Sequence, residues 1–130
     1  MTNNEFIELA LNTECEYSGA AQRLQDPKVI RLIHAGMGLS TEANEFLDQL
    51  KKHVFYGKPL DEINLKEEAG DEFWYLAIIS KTLNIPFEEF LSTVIAKLKV
   101  RYPNKFTESD AVNRNLNAEL NVLQNNNSRF

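Results

Sequence analysis

The sequence predicts an all-α chain, and three observations carry that prediction. Apolar residues recur at helical spacing along most of its length. Helix starts are marked at Asp26-Pro27, Asp61 and Thr107, and breaks at Gly57-Lys58-Pro59, Asn84-Ile85-Pro86 and Pro103. No stretch has the strict alternation of a half-buried strand. With 130 residues the chain is long enough for one domain with its own core. That domain is expected over residues 1–120, followed by a polar, frayed tail over 121–130.

Taken in order, residues 5–12 start a helix that is expected to continue to about Leu24, weakened at Gly19. Asp26 as cap and Pro27 at the first helical position open the next helix, with Val29, Ile30, Leu32, Ile33 and Met37 as its apolar positions. An interruption is expected near Gly36-Met37-Gly38, after which Ser40 or Thr41 caps a further helix to about Val54. His34 lies beside the apolar positions and reads as a structural, hydrogen-bonded histidine. His53 reads as a surface residue at a helix end, where positive charge is favourable. Tyr56 to Asp61 is a loop, and Asp61 caps a helix over residues 62–83. Pro86 opens another, whose core face is Phe87, Phe90, Leu91, Val94, Ile95 and Leu98. It stops before Pro103, since the residue preceding a proline avoids the helical region. Thr107 then begins a capping box, with a final helix expected from Glu108 into the 120s.

Two short acidic pairs organise this plan: Glu42-Ala43-Asn44-Glu45 and Glu68-Ala69-Gly70-Asp71. Spacing of three places both carboxylates of a pair on one helix face. On a helical wheel Glu42 and Glu45 edge the stripe Leu39, Ala43, Phe46, Leu47, Leu50 and Val54. Glu68 and Asp71 edge the stripe Leu65, Ala69, Phe73, Leu76, Ile79 and Leu83 in the same way. Antiparallel packing through those stripes would aim four carboxylates at one spot. Such a group repels itself or takes up protons unless a cation is present, and carboxylate oxygens suit Mg²⁺ and Mn²⁺. A lone acidic pair is ordinarily a solvated face. Here the second pair runs directly into Phe73-Trp74-Tyr75-Leu76-Ala77-Ile78-Ile79, apolar around the whole helix and expected to be buried on every side. That run is too apolar for one small bundle, so at least a dimer is expected.

Composition excludes several classes. A net charge of −5 argues against a nucleic-acid binder. Cys15 stands alone, which removes an intrachain disulfide and a cysteine-rich zinc site. No apolar run approaches a membrane span, and Met1 to Glu5 lacks the basic start of an export signal, so a cytoplasmic chain is expected. A ferritin-type di-metal bundle needs Glu-x-x-His pairs, and neither His34 nor His53 has a glutamate three residues earlier. Against the acidic background, Lys97, Lys99, Arg101, Lys105 and Arg114 form a basic segment. It would complement a polyphosphate held on its other side by metal.

The stretch GLSTEANEFLDQLKKHVFYGKPLDEINLKEEAGDEFWYLA, followed by AKLKVRYPNKFTESDAVNRN, resembles the all-α nucleoside triphosphate pyrophosphohydrolases, the MazG-like proteins, in their small single-domain bacterial and phage form. The family's ExxE, spacer, ExxD hallmark is matched by Glu42, Glu45, Glu68 and Asp71, and the resemblance spans roughly residues 29–115. It implies a MazG-like helical bundle whose core is completed by oligomerisation, a homodimer or homotetramer with its sites near subunit contacts. It also implies cleavage of (deoxy)nucleoside triphosphates to monophosphate and pyrophosphate with Mg²⁺, or Mn²⁺ in its place. The four hallmark acids would then be the metal ligands and catalytic groups, with Glu45 accepting the proton of the attacking water. Tyr75 would contact the nucleotide, and Lys97, Arg101, Tyr102, Lys105 and Arg114 would serve substrate binding. Thr41 stands where many members carry a further glutamate, and Val94 and Ile95 where relatives often have asparagine or lysine. The competing reading is a non-catalytic oligomer that kept the fold and binds a nucleotide or a protein.

Overall fold

The computed structural model describes residues 1–126. Among them it contains helices and no strand, as the sequence predicts. The helices are α1 (Asn3–Leu11), α2 (Ser18–Arg23), α3 (Pro27–Tyr56), α4 (Glu62–Leu83), α5 (Phe87–Arg101), α6 (Glu108–Val112) and α7 (Leu116–Asn126). Contacts divide the chain into two compact units, Met1–Ile79 and Ser80 onward. Among the described residues no helix is long and apolar enough to cross a membrane.

In the first unit, α1 opens on a complete capping box. The Glu5 amide donates to Thr2 Oγ1 at 3.2 Å, and the Thr2 amide donates to Glu5 Oε2 at 2.6 Å. The helix expected to run on to Leu24 stops at Leu11 instead. Thr13 turns its hydroxyl onto the Ala10 carbonyl (2.7 Å), and the Thr13 and Glu14 amides close tight turns onto Ala10 and Leu11. Thr and Asn compete in this way with helix continuation. Gly19, expected to be the weak point, sits inside α2.

The expected interruption at Gly36-Met37-Gly38 is absent, and α3 is one helix of 30 residues. Asp26 Oδ1 accepts from the Lys28 amide at 2.8 Å, and Pro27 follows the cap. Two glycines cost such a helix roughly 1 kcal/mol each relative to alanine, too little to break it. Gly38 is there for a different reason: it is buried, and a Cβ on it would lie 2.1 Å from the Tyr75 ring. Ser40 and Thr41 consequently cap nothing. The Thr41 hydroxyl donates to the Gly38 carbonyl at 2.8 Å, and the Asn44 amide group donates to the Ser40 carbonyl at 2.6 Å. Helix α3 ends at Gly57, which takes the left-handed conformation (φ 64°). His53 Nδ1 lies 2.8 Å from the Lys58 carbonyl oxygen and secures that turn.

Helix α4 starts where Asp61 predicts, with Asp61 Oδ1 accepting from the Asn64 amide at 3.0 Å. It ends at Asn84, which adopts φ 57°, while the Ser80 hydroxyl donates to the Ile85 carbonyl at 2.6 Å. In the second unit, α5 follows Pro86, carries Glu88 and Glu89 in its first turn and Lys99 and Arg101 in its last, and stops ahead of Pro103. The single final helix expected from Glu108 is two helices. Thr107 Oγ1 caps α6 by accepting from the Asp110 amide at 3.0 Å, and Asn115 Oδ1 caps α7 by accepting from the Ala118 amide at 3.1 Å. An asparagine able to cap a new helix ends the old one ahead of it. Helix α7 packs on α5 and runs to Asn126, so helix reaches into the 120s as expected and takes in the first part of the expected tail. The rest of the expected tail lies outside the described residues.

Few apolar side chains are covered. Ala35 is the buried hydrophobic residue among those described, and the run expected to be buried on every side is not: Phe73 is 62% and Trp74 56% exposed. Leu47 and Val54 on α3, and Leu91, Val94 and Ile95 on α5, are exposed although their stripes read as core. Among the described residues these parts of the stripes are left uncovered.

Candidate metal centre on helices α3 and α4

Within the first unit, α3 and the part of α4 up to Ile79 meet in opposite directions. Gly38 receives the Tyr75 ring, and one turn further along α3 Glu42 comes up against Glu68 and Asp71, on the preceding turns of α4. A side chain at position 38 would hold the helices apart, so a missing Cβ on α3 permits the carboxylates below it to converge. Carboxylate oxygens of Glu42, Glu68 and Asp71 all lie within 4.8 Å of one another. Glu68 is buried (5% exposed), Glu42 half-buried and Asp71 exposed.

Three of the four hallmark acids are thus brought together, and Glu45 lies outside the group of three. Its charge still reaches Glu42. The Glu42 carboxyl is held above the usual carboxylate range, first by burial, then by the Glu68 carboxyl beside it and by the charge of Glu45. Asp71 adds to the rise, and a contact from the Thr41 hydroxyl at 3.3 Å opposes it. The charged groups acting on Glu42 are therefore all acids, the condition under which a proton or a cation is favoured.

Glu68 has one neighbour of another kind. Asn64, one turn earlier on α4, donates from Nδ2 to Glu68 Oε1 at 2.8 Å. Its other amide atom, Oδ1, is buried with no hydrogen-bond donor. Sequence reading missed Asn64; the available signal was its spacing of four from Glu68, which puts both on one helix face. Oxygen donors alone, with an unsatisfied carbonyl oxygen at their edge, fit a hard divalent cation better than a soft one.

Above the acids lies an aromatic group. The Tyr75 ring meets His34 edge to face (5.8 Å, 87°) and Trp74 likewise (4.8 Å, 84°). His34, read as a hydrogen-bonded core histidine, is instead exposed and packs its ring against Tyr75.

The other predicted substrate residues belong to the second unit. Lys97 is half-buried, Lys105 is exposed, and the Tyr102 ring lies tilted on Phe106 at 5.4 Å. Arg101 and Arg114 were read as cations for phosphate. Both are engaged by Glu119, a residue the sequence reading passed over. Arg101 donates from Nε (3.0 Å) and Nη2 (2.7 Å), and Arg114 from Nε (3.2 Å) and Nη2 (2.7 Å), to the two Glu119 oxygens. Glu119 is 3% exposed, and the two guanidinium groups hold its carboxyl far below the usual range. This clamp fastens α7 to α5 and to the segment between α6 and α7.

Neither a curated protein nor a solved structure matches the chain. A family profile does: that of the MazG nucleotide pyrophosphohydrolase domain matches residues 34–106, more than half of the sequence. The matched span begins at His34 and includes both acidic pairs, Asn64, Tyr75 and Arg101, while Arg114 and Glu119 fall beyond it. The acidic centre between α3 and α4 lies wholly inside the match, and the chain belongs to the MazG nucleotide pyrophosphohydrolase domain family.

Proposed function

We propose that this chain is a Mg²⁺-dependent nucleoside triphosphate pyrophosphohydrolase that releases pyrophosphate and leaves the (deoxy)nucleoside monophosphate. The observation that carries the reading is the approach of Glu42, Glu68 and Asp71 to within 4.8 Å, with every charged group acting on Glu42 an acid. Family membership supports a nucleotide pyrophosphohydrolase in general. The cation, the cleaved bond and the role in the nucleotide pool of the cytoplasm are the proposal.

Glu42, Glu68 and Asp71 would hold the cation, with Glu45 as the fourth hallmark acid at the edge. When bound, the cation supplies Lewis acidity and offsets phosphate charge. Glu45, exposed and outside the group of three, is free to take the proton from water as its oxygen bonds to phosphorus and the bridging oxygen leaves with pyrophosphate. Tyr75, one helical turn beyond Asp71, is proposed to contact the nucleoside. Lys97, Arg101, Tyr102, Lys105 and Arg114 are proposed for the phosphates; engaging Arg101 and Arg114 would require them to leave or share Glu119.

The uncovered apolar faces support a homo-oligomer. Large exposed apolar patches mark protein contacts, and Phe55, Tyr56, Phe73 and Trp74 are all more than half exposed. Light scattering on the eluting protein should return a dimer or tetramer; a monomer at micromolar concentration overturns that part.

The activity is tested by incubating the protein with each NTP and dNTP plus Mg²⁺ and resolving the products. Monophosphate and pyrophosphate in equal amounts are expected. Release of orthophosphate would refute the proposed bond cleavage. Binding without turnover would favour the non-catalytic reading.

A further inference from the structure

Asn64 is the one polar side chain at the acidic centre whose hydrogen bonding is half complete. Nδ2 donates to Glu68 Oε1 at 2.8 Å, and Oδ1 is buried with no donor. The sense of the amide is fixed by its partner: reversed, it would set a carbonyl oxygen against a carboxylate oxygen, acceptor on acceptor. The orphan is therefore the oxygen. A buried acceptor left without a partner costs free energy, and an apolar residue here would remove that cost. Because both amide atoms share one carbon, Oδ1 stands a short step from the atom that holds Glu68.

We propose that Asn64 is a positioning residue of the cation site: its N–H fixes the rotation of the Glu68 carboxylate, and its Oδ1 adds a neutral oxygen to the acceptor set. This rests on the reading of Glu42, Glu68 and Asp71 as cation ligands. Two features of the site support it. Glu68 is the buried member of the group, so its rotation cannot be set by solvent. Carbonyl oxygens of asparagine also belong to the oxygen set that hard divalent cations take, and partners that orient a ligand typically change metal affinity 10- to 100-fold.

The test uses the full-length protein and Mn²⁺ alone, followed by the electron paramagnetic resonance of free Mn²⁺, with thermal melts in chelator. Asn64→Leu, similar in shape and apolar, should bind Mn²⁺ about 10- to 100-fold more weakly than wild type. Its metal-free Tm should stay near the wild type's, because the orphaned acceptor goes together with the hydrogen bond to Glu68. A merely structural asparagine predicts the reverse: a lower Tm and unchanged affinity. Asn64→Asp keeps the oxygen but sets a charge against Glu68. Its metal-free Tm should fall, and Mn²⁺ should raise it by more than it raises the wild type. Wild-type affinity in Asn64→Leu overturns the inference and leaves the cation site standing. Failure of the wild type to bind Mn²⁺ overturns the site itself. Should Asn64→Leu not fold, Asn64→Asp decides, and a Tm that Mn²⁺ does not restore counts against the proposal.

Discussion

Glu68 and Glu119 are the two buried charged residues among those described, and their surroundings are opposite. Glu119 receives four hydrogen bonds from two arginines. Its charge is answered inside the chain, and its business is to hold α7 against α5. Glu68 lies beside Glu42 and Asp71, and the Asn64 side chain that donates to it is a neutral amide. A carboxylate buried with its counter-charges is a fastening, complete as it stands. One buried among other acids is not stabilised by them, and a proton or a cation would relieve it.

The sharpest way to break this contrast is to neutralise each glutamate. Glu68→Gln should lower turnover by about 100-fold or more, while the metal-free protein melts no lower than wild type because a repulsion has been removed. Asp71→Asn should behave similarly. Glu119→Gln should do the opposite, lowering the Tm by several degrees and exposing α7 to protease, because two guanidinium groups lose their counter-charge. A Glu119→Gln protein that melts like wild type would remove the fastening from the account.

Acid separates the two sites as well. The Glu119 carboxyl is depressed in the folded chain, so its contribution is fully present above the unfolded value and is lost as pH falls through it. Between neutral pH and about pH 4.3 the clamp should hold; below that, stability should decline as protons compete with the arginines. Circular dichroism melts across pH 3–7 of wild type and Glu119→Gln check this, and the difference between them should shrink toward the acid end.

Two glycines two residues apart give a finer comparison. Gly38→Ala would drive a methyl into the Tyr75 ring, whose atoms lie 2.1 Å from the added Cβ. It should cost about 1–3 kcal/mol and weaken Mn²⁺ binding by spreading the acids below. Gly36→Ala meets nothing within 4 Å and should stabilise by about 0.5–1 kcal/mol. Equal effects at the two positions, in denaturant unfolding, would mean that close approach at Gly38 does not set the helix spacing.

Much of the acidic centre was legible because it is local. Helical spacing fixes which carboxylates share a face, and α4 begins and ends where Asp61 and Asn84 predict. The errors fell where a long-range contact overrides local preference. Gly36 and Gly38 read as a break, yet the second glycine is the seat of an aromatic ring one helix away, a pairing that spacing within one segment does not reveal. Arg101 and Arg114 read as cations for phosphate, and their engagement by Glu119 stayed hidden because that residue sits on a separate short helix behind an asparagine cap. The apolar run over Phe73 to Ile79 was read correctly as composition, but among the described residues Phe73 and Trp74 stay more than half exposed. Periodicity tells which face is apolar without telling what covers it.

The measurement that bears most directly on the contrast between the two glutamates is calorimetric titration of Mn²⁺ into three proteins: wild type, Glu68→Gln and Glu119→Gln. Saturable binding is predicted for wild type and Glu119→Gln, and its loss for Glu68→Gln. Binding by Glu68→Gln at wild-type affinity, or its absence from all three, would contradict the account.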